Sequence, residues 1–177
     1  MTKNTGQVSL PIRPLSSEAF APYGDVLEAS ADKHHFTIND GYTERFHDLA
    51  QIDVADENGR AIVSIFRSTP LTLPIKIEMM ERHPLGSQAF MPLSQQPYLV
   101  VVAPKGAFDK NNIEVFLAQP TQGVNYHKGT WHHFCLALNH ECDFLVIDRS
   151  GEGNNCDVET LDGSLVINLE GINDSRT

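Results

Sequence analysis

The stretch Gln88-Ala89-Phe90-Met91-Pro92-Leu93-Ser94-Gln95-Gln96-Pro97-Tyr98-Leu99-Val100-Val101-Val102-Ala103 decides the reading of the fold. It holds two apolar runs, 88–93 and 98–103, each flanked by proline. Short apolar runs rich in valine and bounded by turn residues read as strands. Runs of the same kind continue on both sides: 61–69, 75–82, 113–118, 131–138, 143–148 and 165–169. Turn signals separate them, among them Thr69-Pro70, Leu85-Gly86, Lys105-Gly106, Lys128-Gly129 and the 150–153 segment. One helix is expected near the start, capped by Ser16 or Ser17, with Glu18 in its first turn and Pro22 and Gly24 ending it. The polar, acidic segment 39–58 reads as a long loop or a second short helix, and the tail after Gly171 as frayed. Many short strands with little helix predict a mainly β protein, a sandwich or a barrel.

The chain has 177 residues and a mass of 19.7 kDa, the size of one domain spanning 1–177. With 41% hydrophobic residues and nine Phe it can bury a core without disulfides or a structural metal. Thirteen Lys and Arg against 23 Asp and Glu give a net charge of −10. That balance argues against binding a nucleic-acid backbone, which needs a basic stripe, and against docking on an anionic membrane. It leaves small anionic substrates open, since a site needs only one or two local cations. Cys135, Cys142 and Cys156 form no C-x-x-C pair and read as free thiols of a reducing compartment. The first ten residues hold no apolar run, and the longest apolar run, Leu99–Ala103, is far too short to span a membrane, so a soluble cytoplasmic protein is expected.

Two clusters can carry chemistry. The first is Gly123-Val124-Asn125-Tyr126-His127-Lys128-Gly129-Thr130-Trp131-His132-His133. If the chain reverses at Lys128-Gly129, His127 and His132 can converge on one pocket, and strand alternation lets only one of His132 and His133 face it. The competing reading packs Trp131 in the core and leaves the histidines to satisfy backbone carbonyls. The second is Glu81-Arg82-His83-Pro84-Leu85-Gly86-Ser87-Gln88, in which Pro84 holds His83 extended and His83, Ser87 and Gln88 can line a pocket mouth. Its competing reading is an ordinary strand connection with Glu81 and Arg82 solvated. His34, His35, His47 and His140 read as surface or loop residues. The chain has no H-x-H, H-E-x-x-H, G-x-S-x-G, Walker A or G-x-G-x-x-G sequence, so nucleophilic, phosphoryl-transfer and dinucleotide chemistry lack support.

Together the clusters resemble the two motifs of a degenerate cupin, His83 with Gln88 standing for the first and His127-Lys128-Gly129-Thr130-Trp131-His132 for the second. More specifically, the chain resembles the ureidoglycolate lyase family along nearly its full length. The resemblance is carried by Ile12-Arg13-Pro14-Leu15, Phe20-Ala21-Pro22-Tyr23-Gly24, Ser64-Ile65-Phe66-Arg67, Glu81 through Pro92, Gly123 through His133, and Asp143 through Arg149. It implies a cupin-type β-barrel, a homodimer, and cleavage of (S)-ureidoglycolate to glyoxylate and urea in allantoin degradation, a carbon–nitrogen (amidine-type) lyase reaction.

Such a cleavage needs a base for the hydroxyl proton, an acid for the leaving nitrogen, and a cation or fixed donors for the carboxylate. His83, His127 and His132 are the candidates for proton transfer or metal binding, with Gln88 and Ser87 orienting the ureido group. Arg67 or Arg45 can clamp the carboxylate, with Asn39 as a further polar contact and Tyr126 and Tyr98 as weaker ones. A divalent ion, nickel or zinc, would take His83, Gln88 and His132, with His127 in reserve; metal-free acid–base catalysis is the alternative. Two other classes stay in view: a metal-dependent cupin oxygenase or isomerase, which the missing H-x-H counts against, and a non-catalytic cupin that binds a small metabolite.

Overall fold

A computed structural model describes residues 6–169, so the expected frayed tail lies outside the described residues. Five strands form one sheet, in the order Gly24–Leu27, Gly123–Tyr126, Gln88–Pro92, Cys142–Ser150, Arg60–Ser68. A seven-stranded sheet runs Asp157–Thr160, Met79–Arg82, Trp131–His132, Tyr98–Ala103, Glu114–Ala118, Ile12–Pro14, with Leu136–Ala137 also paired to Tyr98–Ala103. Val8–Ser9, Leu165–Ile167 and Ile75–Lys76 make a three-stranded sheet, and His35–Ile38 with Thr43–Phe46 a hairpin.

The Tyr98–Ala103 strand explains the layering. All six of its residues are buried. Tyr98, Val100 and Val102 point to one core, shared with Phe90, Val124, Phe144 and Val146 of the five-stranded sheet. Leu99, Val101 and Ala103 point to a second core, shared with Ile75, Leu165 and Ile167 of the three-stranded sheet. A strand covered on both faces cannot alternate apolar with polar, so it reads as one continuous apolar run. The protein is therefore mainly β, as the sequence predicts, built from stacked sheets; among the described residues no single hydrogen-bonded ring closes into a barrel.

The expected helix is present as Ser17–Phe20, with the Ser16 hydroxyl accepting from the Ala19 N–H. Its Phe20 is fully buried against Tyr23, Phe116 and Tyr126. The 39–58 segment differs from the expected loop or helix. It holds a strand, Thr43–Phe46, and only two single-turn 3-10 pieces, Asn39–Gly41 and Asp56–Asn58. The strand is not legible because its partner, His35–Ile38, is largely exposed and the hairpin buries no periodic face. The predicted 75–82 and 131–138 runs are each broken in two. Among the described residues no helix is long and apolar enough to cross a membrane.

Candidate active site

The site is assembled where the two large sheets face each other. His132 sits on the two-residue strand Trp131–His132, opposite Val102 on one side and Glu81 on the other. Trp131 enters the second core, so alternation turns His132 toward the first. The turn before it is the reversal the sequence suggests: Gly129 has φ of 80°, and the Thr130 N–H donates to the His127 carbonyl at 3.0 Å. The Gly129 N–H donates to the His83 carbonyl at 3.0 Å, which ties the two histidine-bearing segments together.

His83 and His132 stand with ring centroids 5.1 Å apart. Glu81 joins them, and the three offer ligand atoms within 4.8 Å of one another. Each imidazole is oriented by a carbonyl: His83 Nδ1 is 2.6 Å from Asn155 O, and His132 Nδ1 is 3.1 Å from His133 O. A carbonyl only accepts, so each Nδ1 carries a proton and each Nε2 presents a lone pair. Both Nε2 atoms are buried and unpartnered by protein. Burial, with the neighbouring His83, pushes the His132 imidazole down to about 3, so it is neutral at physiological pH.

The opposite sheet supplies the other wall. Tyr126 lies flat on His132, with centroids 4.3 Å apart and planes 1° from parallel. Burial raises its hydroxyl well above the usual tyrosine range, which keeps it protonated. Gln88 is directly opposite Tyr126 across the strand pair, and so shares its face. Its amide donates to Asp148 Oδ2 at 3.2 Å.

Among the sequence candidates, then, His83, His132, Gln88 and Tyr126 come together. Glu81 and Asp148 join them. Glu81 is a solvated residue only in the competing reading of its cluster; its place directly across from His132 is not visible without the register. Asp148 lies in the 143–149 run that carries the resemblance but is not among the site residues expected from the sequence.

The remaining candidates stand elsewhere. His127 is half-exposed and bonds Asp25 at 3.0 Å. Ser87 is buried, but its hydroxyl accepts from the Asp53 N–H and fastens the loop there. Tyr98 is in the core and donates its hydroxyl to the Gln122 carbonyl at 2.8 Å. Arg67 is exposed and spends its fork on Asp143, at 2.7 and 2.9 Å, five residues along the strand from Asp148. Arg45 and Asn39 lie on the exposed hairpin, Arg45 over the Phe36 ring and Asn39 bonded to Thr43. A groove of about 490 Å³ bordered by Leu10, Arg13, Tyr23, Ile113 and Glu114 shares no residue with the histidine site.

Against known proteins, the model of the ureidoglycolate lyase family matches residues 7–168. The chain belongs to the ureidoglycolate lyase family. It is 54% identical over 157 residues to a ureidoglycolate lyase of Burkholderia mallei (strain NCTC 10229), covering 89% of this chain and 92% of that protein. It is 54% identical over 149 residues to the ureidoglycolate lyase of Pseudomonas syringae pv. syringae (strain B728a), covering 84% and 87%. With the Pseudomonas putida (strain W619) protein of the same name it shares 52% over 150 residues, covering 84% and 89%.

Proposed function

We propose that the protein cleaves ureidoglycolate to glyoxylate and urea, with the paired His83 and His132 as its centre. The observation that carries this reading is the pair of lone-pair-bearing Nε2 atoms, buried together in a chain of this family. The substrate has a hydroxyl, a carboxylate and a ureido nitrogen on one carbon. In the reaction the hydroxyl O–H breaks, its electron pair forms the carbonyl of glyoxylate, and the C–N bond breaks with its pair going to nitrogen. That nitrogen takes a proton and leaves in urea. His83, the less buried of the two, takes the hydroxyl proton on Nε2 and returns it to the leaving nitrogen. His132, held neutral, accepts a hydrogen bond and fixes the geometry. The Tyr126 hydroxyl, held protonated beside it, donates one to the substrate.

A second reading rests on the fit of Glu81, His83 and His132 to a divalent ion. Two imidazoles oriented through Nδ1 and one carboxylate are a familiar three-ligand set with an open position. Nickel or zinc held there would supply positive charge to the carboxylate and hydroxyl oxygens of the substrate. The need for such charge is real, since Arg67 is committed to Asp143 and Arg82 to Asp157. Gln88, the third ligand expected from the sequence, donates its amide to Asp148 and keeps Oε1 without a protein partner.

We also place the protein in the cytoplasm as a homodimer. The three free thiols favour a reducing compartment. The outer face of the five-stranded sheet favours a dimer: Val63 is 68% and Ile65 56% exposed on its nine-residue edge strand, beside Leu145 and Ile147. The deciding experiment is to incubate the protein with racemic ureidoglycolate and measure glyoxylate and urea, with and without a chelator. Equimolar products support the lyase, and loss of activity to the chelator selects the metal-assisted form. Product formation no faster than the protein-free blank would overturn the reading.

A further inference from the structure

Four buried acceptor atoms in this region lack a protein partner: His83 Nε2, His132 Nε2, Gln88 Oε1 and Asp148 Oδ1. The reaction uses the two nitrogens and leaves the two oxygens unexplained. Asp148 Oδ2 accepts from Gln88 Nε2. A carboxylate has no donor, so it fixes the amide with Nε2 toward Asp148 and Oε1 away. The pair therefore presents two unpaired acceptor atoms, Gln88 Oε1 and Asp148 Oδ1. Adjacent strands set this arrangement, with Val146 opposite Phe90 and Ile147 opposite Ala89 in the same ladder. The facing strand puts Tyr126 opposite Gln88, and Tyr126 stacks on His132. The acceptors thus belong to the sheet whose Tyr126 stacks on His132, the wall that faces the paired imidazoles.

Buried acceptors without donors suit a ligand rich in N–H groups, because a site with unpaired polar atoms rejects analogues that cannot pair them. A ureido group presents three N–H donors, and its terminal NH2 distinguishes it from a simple amide. We propose that Asp148 and Gln88 form an acceptor pair for the ureido N–H groups, with Asp148 Oδ1 binding the terminal NH2 and setting specificity for ureides over amides. This inference rests on the lyase reading above and names the part of the substrate that this wall recognises.

The test uses two inert probes that differ only at the group in question: ureidoacetate, with a terminal NH2, and N-acetylglycine, with a methyl in its place. Calorimetry on the full-length protein measures the dissociation constant of each. The wild type is expected to bind ureidoacetate at least about tenfold tighter, the value of one well-placed hydrogen bond. Asp148→Asn keeps the size and the bond from Gln88 but turns Oδ1 into a donor, and is expected to erase the preference. Gln88→Leu, removing the second acceptor, should weaken ureidoacetate more than N-acetylglycine, and serves if Asp148→Asn melts early. A wild type without the preference, or an Asp148→Asn protein that folds and retains it, overturns the proposal. Failure of the wild type to turn over ureidoglycolate would instead overturn the lyase reading.

Discussion

Tyr126 and His132 belong to different sheets, yet their rings lie parallel within 1° at 4.3 Å. The stack bridges the two layers at the place where the imidazoles meet. It fixes the plane of His132 while the carbonyl of His133 fixes its tautomer. Ring and hydroxyl of Tyr126 do separable jobs. Tyr126→Phe is expected to leave the melting temperature unchanged and lower kcat about tenfold, the loss of one hydrogen bond. Tyr126→Leu removes the stack as well, and should lower kcat further and the melting temperature too. Equal kcat in the two variants would show that the stack has no positioning role.

Among the histidines, substitution should sort by place. His132→Ala is expected to cut turnover by roughly 10²–10⁴-fold, the usual size of acid–base assistance. His127→Ala should stay within about threefold, because that ring faces Asp25 and solvent rather than His83. His133 is buried but its Nδ1 bonds the Phe134 carbonyl, and it stands outside the Glu81–His83–His132 group. His133→Ala should therefore lose stability before it loses activity. Steady-state kinetics beside thermal melting separates the three cases.

The exposed outer face gives a prediction about assembly. Val63 and Ile65 point away from the core on an edge strand whose far side pairs with no strand among the described residues. If the proposed dimer forms through this face, Val63→Asp with Ile65→Asp is expected to leave a species near the 19.7 kDa chain mass by light scattering. The fold should survive, since neither side chain is in a core cluster. A wild type already at the monomer mass would refute the dimer.

How much of this was legible beforehand differs by residue. Tyr98–Ala103 and the strands near it were readable because apolar runs between prolines leave few alternatives. The Lys128-Gly129 reversal was readable, but the histidine expected to meet His132 through it, His127, turns to Asp25, and His83 takes that place. What was not readable depended on register. Glu81 meets His132 only because two short strands align with those residues opposite each other. Asp148 reaches Gln88 across 60 residues of sequence. Strand phase decides which of two neighbouring polar residues turns inward, and a two-residue strand is too short to show its phase. Arg149 illustrates the same limit. It is 8% exposed and bonds the carbonyls of Asp56, Glu57 and Glu152, holding two loops through backbone groups that no side-chain motif announces.

Acid should destabilise the protein through its buried imidazoles. His132 titrates at about 3 when folded, against an ordinary value of 6.5, and burial also lowers His133. Between those two values the unfolded chain binds protons that the folded site excludes, so stability rises with pH there. The contribution is fully present above about 6.5 and is lost progressively as pH falls toward about 3. The melting temperature is expected to fall across this window, and His132→Gln should flatten the profile. A profile with the wild-type slope in that variant would assign the acid loss to the carboxylates instead.

The strand that carries Tyr126 is seated by a residue with no side chain. Gly24 is paired with Tyr126 across the Gly24–Leu27 ladder. A Cβ at that position would stand 2.0 Å from the Asn125 carbonyl oxygen and 2.9 Å from its carbon. Both are backbone atoms, so no rotamer change can relieve the contact, and the strands must separate. Overpacking of this kind costs about 1–3 kcal/mol or more. Any shift also moves Tyr126 off the His132 ring. Gly24→Ala is therefore expected to lower both the melting temperature and kcat. Gly6→Ala, where a Cβ meets nothing within 4 Å, should change neither. Retention of wild-type melting and turnover in Gly24→Ala would mean that the 24–27 and 123–126 strands can part without disturbing the site.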